Sequence, residues 1–138
     1  MTLEKKIINS SKAPKAIGPY SQGVVSNGHI FLSGQIPLDQ NGELHDGTIQ
    51  EQVELIFENI GYLLETQNCN FQNIIKLTVF LKDIGDFDAV NSKMIELLEE
   101  PYPARSLIQA AALPKNVDVE IEVIACLNEN GERCLEIT

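Results

Sequence analysis

Three places in this 138-residue chain carry side chains suited to chemistry on a small anion. The first is "YPARSLIQ", where Arg105 follows Pro103-Ala104 and precedes the uncharged run "SLIQAAALP". An arginine in this setting has two readings. It pairs with a surface acid, which contributes little, or it stands rigidly at the mouth of an apolar crevice. In the second case its planar fork suits a carboxylate gripped through two hydrogen bonds. The second place is "VDVEIEVIACL". Strand alternation puts Asp118, Glu120, Glu122, Ile124 and Cys126 on one face and Val117, Val119, Ile121 and Val123 on the other. Asp118 and Glu120 read as a solvated patch. Glu122 has Ile124 as its next neighbour on that face, so it sits where the face turns from wet to apolar. Partial desolvation there raises a carboxyl pKa toward the range useful for proton transfer.

The third place is a pair of short segments. "LSGQIP" ends a strand with Ser33-Gly34, a hydroxyl beside a residue that lets a ligand approach the backbone closely. "GPYSQG" carries Tyr20 in a loop after Gly18-Pro19. Taken singly, each is an ordinary strand end or turn.

The elements that must position these residues are legible in outline. Asn27-Gly28 separates two β-prone runs, which predicts a type I′ hairpin with strands at about 21–26 and 29–33. "SGQIPLDQNGELHDG" reads as a loop. Thr48 and Glu51 have the spacing of a capping box, and Val53, Ile56, Phe57, Ile60 and Leu64 then recur on one helical face, ending near Thr66. "NIIKLTVFL" is apolar on both faces and reads as a central strand. Asp86 is placed to cap a second helix with Phe87, Val90, Met94 and Leu97 along one side. Strands follow at Ser106–Ala112 and in "VDVEIEVIACL". The order is β-β-β-α-β-α-β-β, with the first strand near "KKIIN" and a further short one, "RCLEI", after Asn130-Gly131. This predicts an α+β sandwich with both helices on one face of a mixed sheet. The second face is too apolar for solvent, so its burial between subunits is expected.

Composition narrows the classes. With 43% hydrophobic and 22% charged residues, and no linker or repeat, one domain is expected. Ten Lys+Arg against twenty Asp+Glu give a formal charge of −10, which speaks against nucleic acid and against anionic membranes. "MTLEKKIINSS" has no signal-peptide core, which points to the cytoplasm. Cys69, Cys126 and Cys134 lack CxxC spacing and read as reduced thiols. His29 and His45 form no metal-ligand motif, so no metal site is expected.

Taken together, "AIGPYSQGV", "FLSGQIP", "KLTVFLKDIGDFDAVN" and "YPARSLIQAAALPKNVDVEIEVIA" resemble the signature segments of the Rid family (YjgF/RidA, reactive intermediate deaminases), in the family's order, from about residue 14 to 126. The resemblance implies a chorismate-mutase-like α+β fold over residues 1–138, with residues 127–138 a C-terminal extension. It further implies a homotrimer with clefts at the subunit interfaces. The implied activity is hydrolysis of enamines and imines, such as 2-aminoacrylate, to 2-keto acids and ammonia, with no cofactor. On this resemblance Arg105 binds the substrate carboxylate and Glu122 positions or activates water. Tyr20, Ser33 and Gly34 line the cleft, and Asn91 comes close to it. Many members have cysteine where this chain has Leu107, which would narrow or dry the cleft. A trimeric sensor of small carboxylates such as 2-keto acids, without turnover, is the alternative. A ribonuclease or translation inhibitor is disfavoured by the charge of −10.

Overall fold

A computed structural model of the chain describes residues 4–128. Along them run β1 (Lys6–Ile8), β2 (Gly23–Ser26), β3 (His29–Gln35), α1 (Ile49–Glu65), β4 (Ile74–Leu81), α2 (Phe87–Leu97), β5 (Ala104–Gln109) and β6 (Val119–Cys126). The strands form one sheet in the order β1-β2-β3-β6-β4-β5. Neighbours are antiparallel except β4 and β5, whose parallel pairing requires the crossover that α2 supplies. The mixed α+β architecture is as the sequence implies, and "NIIKLTVFL" is an interior strand with a neighbour on each side, though it lies next to the edge rather than at the centre. "RCLEI" lies outside the described residues.

Local chemistry explains the elements. At the β2–β3 turn both Asn27 (φ 51°) and Gly28 (φ 79°) take positive φ, as a type I′ turn demands. Thr48 Oγ1 accepts the Glu51 N–H at 3.2 Å, and the Glu51 carboxylate accepts the Thr48 N–H at 3.0 Å, completing the capping box. The second helix departs from expectation in one detail. Asp86 stands at its N-cap but makes no capping hydrogen bond; Asp83, three residues earlier, accepts the Gly85 N–H instead. Burial, together with the charges of Asp83 and Asp118, pushes the Asp86 carboxyl above its ordinary pKa.

The β5 strand is Ala104–Gln109, not Ser106–Ala112. As an edge strand it has one partner and keeps its length. Lys76 pairs with Ala104 at one end and Leu81 with Gln109 at the other, and pairing stops where β4 stops. Arg105 therefore lies within the strand rather than just before it.

One face of the sheet is covered. Val119, Ile121, Val123 and Ala125 of β6, with Ile30, Leu32, Leu77, Val79 and Leu81, are buried against Val53, Ile56, Phe57, Ile60 and Leu64 of α1 and Val90 and Met94 of α2. Each buried Val, Leu, Ile, Phe or Met among these contributes about 1.5–3 kcal/mol relative to exposure. The other face has no helix. Across it runs an in-register row, Ile7–Val24–Phe31–Ile124–Lys76–Ala104, in which Ile7 is 51% and Phe31 42% exposed. Cys69 is free and buried, which raises its thiol pKa. Cys126 is disulfide-bonded, contrary to the reading of three reduced thiols. No helix among the described residues is long and apolar enough to cross a membrane.

Replacing Thr48 by Ala removes the cap at the start of the helix that carries most of this core. Urea denaturation should show a loss of about 1 kcal/mol with an unchanged m-value.

Candidate functional site

A cleft opens on the uncovered face where β3 and β6 fall out of register. Leu32 pairs with Val123 and Gln35 with Ile121, so three steps along β3 match two along β6. The surplus residue is absorbed at Ser33-Gly34, a bulge of the kind that bends a strand and re-aims its side chains. The Ser33 Oγ donates to Ser21 O at 2.6 Å, and its N–H donates to Gln22 O at 3.0 Å. Gly34 leaves the space that a side chain would fill. A Cβ there would lie 2.7 Å from Glu120 Oε2 and 2.9 Å from its carboxyl carbon. The Glu120 carboxylate thus lies over the bulge, close to the backbone.

Tyr20, Ser33, Gly34, Glu120 and Glu122 line a cleft of about 760 Å³, with Lys15 to Ile17 on one rim and Pro114-Lys115 on another. Tyr20 is held by its own loop. Gly18 adopts φ +135°, the Tyr20 N–H donates to Gly18 O at 2.9 Å, and the Tyr20 hydroxyl accepts the Ile17 N–H at 3.2 Å. Lys115 (φ 54°) and Asn116 (φ 57°) both sit in the left-handed region just before β6, a local strain retained at the cleft's edge.

The two glutamates differ in environment. Glu122 is exposed, whereas Glu120 is about half-buried. Desolvation first, and the neighbouring Glu122 charge second, push the Glu120 carboxyl above its ordinary pKa. Alternation along β6 correctly puts both acids on one face. It does not distinguish which of them the Ser33-Gly34 bulge shields, and the reading of Glu120 as part of a solvated patch is corrected here. The one sequence signal pointing to Glu120 is the glycine of "SGQ", whose missing side chain makes room for it.

Arg105 lies elsewhere. It is in register with Leu77, a core residue, so it points to the helix-covered side of the sheet at its edge. Its Nη1 donates to Asn91 Oδ1 and approaches Met94 Sδ at 3.6 Å, and the guanidinium carbon lies 5.5 Å from the centre of the Phe87 ring. Among the described residues no carboxylate pairs with it. Beside it is a pocket of about 290 Å³ walled by Leu77, Met94, Leu98, Tyr102 and Pro103. Leu107, two residues on and on Arg105's face, packs against the core and lines neither cavity. The chain thus brings Tyr20, Ser33, Gly34 and Glu122 together and Arg105 with Asn91, but holds these two groups on opposite faces. Among the described residues no three His, Cys, Asp or Glu converge as metal ligands would.

The profile of the family described as Endoribonuclease L-PSP matches residues 10–127. The chain belongs to this family, the Rid family of the resemblance above. It is 45% identical over 125 residues to the 2-iminobutanoate/2-iminopropanoate deaminase of Capra hircus, covering 90% of this chain and 91% of that one. Among solved structures, RidA from the Antarctic bacterium Psychrobacter sp. superposes with a TM-score of 0.85 at 40% identity, over 88% of this chain and 99% of that one. The Escherichia coli protein TdcF, solved with bound serine, superposes with a TM-score of 0.80 at 41% identity, over 88% and 98%.

The Glu120 environment has a measurable sign. Its pKa is higher in the folded than in the unfolded chain, so the folded state binds this proton more tightly. The contribution to stability is full below the unfolded pKa and is lost as pH rises through the folded one. Glu120→Gln cannot ionise. Its melting temperature relative to the unsubstituted protein should therefore rise from acidic pH to neutrality. An offset that stays flat with pH would show Glu120 to be fully solvated.

Proposed function

We propose that the chain is a hydrolytic deaminase of 2-imino acids, acting on 2-iminopropanoate and 2-iminobutanoate formed from the corresponding enamines. The observation that carries this reading is Arg105. It is a permanent cation in a chain of charge −10, held by Asn91, Met94 and Phe87, none of which neutralises it. A cation steadied by uncharged partners and bordered by apolar side chains is pre-organised for a small carboxylate. The deaminases named among the relatives act on substrates with such a carboxylate.

Arg105 and Glu120 cannot reach one substrate within a protomer, since they project from opposite faces of the sheet. We place the reacting cleft between two copies, with Arg105, Asn91 and Leu107 from one and Tyr20, Ser33, Gly34, Glu120 and Glu122 from its neighbour. A closed trimer provides three such clefts and covers the apolar row on the open face.

Arg105 then fixes the carboxylate and offsets its charge as water approaches the C=N carbon. We assign the proton relay to Glu120 rather than Glu122, because Glu120 is the desolvated carboxylate and lies over the bulge. It takes a proton from water as the oxygen adds to the C=N carbon and passes it to the nitrogen, giving a carbinolamine. It then takes the hydroxyl proton and passes it to the nitrogen as the C=O bond forms and the C–N bond breaks, leaving the 2-keto acid and ammonia. Glu122 contributes the charge that helps to hold the Glu120 carboxyl raised. Orientation together with general acid–base assistance suffices for a reaction that also runs unaided. The family description names an endoribonuclease, but two glutamates in the cleft and the overall charge oppose a phosphate backbone.

Imine generated in situ by a dehydratase should be hydrolysed faster with the protein present. Arg105→Ala and Glu120→Gln should each lose about 10²–10⁴-fold. Refolding the two inactive variants together should restore activity, with roughly a quarter of clefts pairing an intact Arg105 with an intact Glu120 by random assortment. Keto-acid binding without acceleration would instead mark a sensor. Failure of the mixture to recover would sink the shared cleft.

A further inference from the structure

Among the residues lining the cleft is a glutamine whose side chain is buried and spent on backbone partners. We infer that Gln22 is a positioning residue, clamping the segment that forms the Lys15–Tyr20 rim onto the same bulge that holds Glu120. Gln22 is 6% exposed. Its Oε1 accepts the Ser10 N–H at 2.7 Å. Its Nε2 donates to Pro14 O at 2.8 Å and Ser10 O at 3.1 Å, with Ala13 O at 3.5 Å. Its backbone oxygen accepts the Ser33 N–H at 3.0 Å. One residue therefore ties the rim to the floor of the cleft.

The rim needs such a tie because it has no ladder of its own. Between the end of β1 at Ile8 and the start of β2 at Gly23 there is no regular element. Two of the other side-chain ties from this segment, Lys12 Nζ to Glu65 at 2.8 Å and Gln40 Nε2 to Ser11 O at 3.4 Å, are exposed. The part-buried Ser33 Oγ bond to Ser21 O at 2.6 Å holds only the end of the segment next to β2 and does not reach Ser10–Pro14. Ala13 is buried but directs nothing by itself. A primary amide is suited to this place because it donates and accepts at once, and a backbone turning through Ser10–Pro14 presents both an N–H and carbonyls. Without it, a buried N–H and a carbonyl lose their partners and the rim is free to shift. Ser33, Gly34 and Glu120 would stay in place on the sheet. The consequence falls on substrate capture rather than on the proton relay.

This inference rests on reading the cleft as the imine site, and its test separates the two. Gln22→Met keeps the volume and removes the hydrogen bonds. Gln22→Glu keeps the acceptor for Ser10 and loses the donor for Pro14. Both should raise KM about 5- to 10-fold with kcat nearly unchanged. Both should also speed tryptic cleavage after Lys12 and Lys15 in the native protein, relative to Lys76 in the interior strand β4. A folded Gln22→Met with unchanged KM, or with a fall confined to kcat, would overturn the inference, as would rim cleavage at the rate of the unsubstituted protein. If the unsubstituted protein itself fails to accelerate imine hydrolysis, the deaminase reading falls. The clamp then stands or falls on the cleavage rates alone.

Discussion

The alternation of β6 places Val119, Ile121, Val123 and Ala125 beneath the helices and leaves Glu120, Glu122 and Ile124 on the far side. With only two helices available, one face of a six-stranded sheet is sealed and the other stays open. That asymmetry organises the rest of the molecule. The sealed face supplies the stability, and its rigid strands hold the acids on the opposite side in fixed positions. The open face is crossed by the apolar Ile7–Val24–Phe31–Ile124 row, which no helix covers.

Within this frame the bulge at Ser33-Gly34 differentiates two otherwise equivalent glutamates. A regular β3–β6 ladder would give Glu120 and Glu122 similar surroundings. The surplus residue and the absent side chain at Gly34 let the Glu120 carboxylate settle against the backbone, where water solvates it less. Gln22 extends the effect outward. Its backbone holds Ser33 while its side chain holds Ser10–Pro14, so the floor and the rim of the cleft share an anchor.

Arg105 illustrates the opposite arrangement, a charged group on an edge strand with a neutral cradle. Parallel pairing with β4 sets its direction, and α2 brings Asn91, Met94 and Phe87 to it. Because those partners carry no negative charge, the guanidinium keeps its attraction for an anion. The fold thus separates Arg105 from Glu120 and Glu122 by the thickness of the sheet.

Much of this was legible in the residues alone. The Asn27-Gly28 hairpin, the Thr48 capping box, the interior strand from Ile74 and the alternation of β6 are local or periodic patterns, and short-range sterics and hydrogen bonding determine them. The segments around Tyr20, Ser33 and Arg105 were likewise visible as candidate site residues. Three matters were decided only in three dimensions. The limits of β5 follow from the length of its single partner, and the shielding of Glu120 follows from a register slip between strands remote in the sequence. The direction of Arg105, away from both glutamates, depends on which face of a distant strand its own strand pairs beside. Each is a relation between segments remote along the chain, and no periodicity within one segment encodes it.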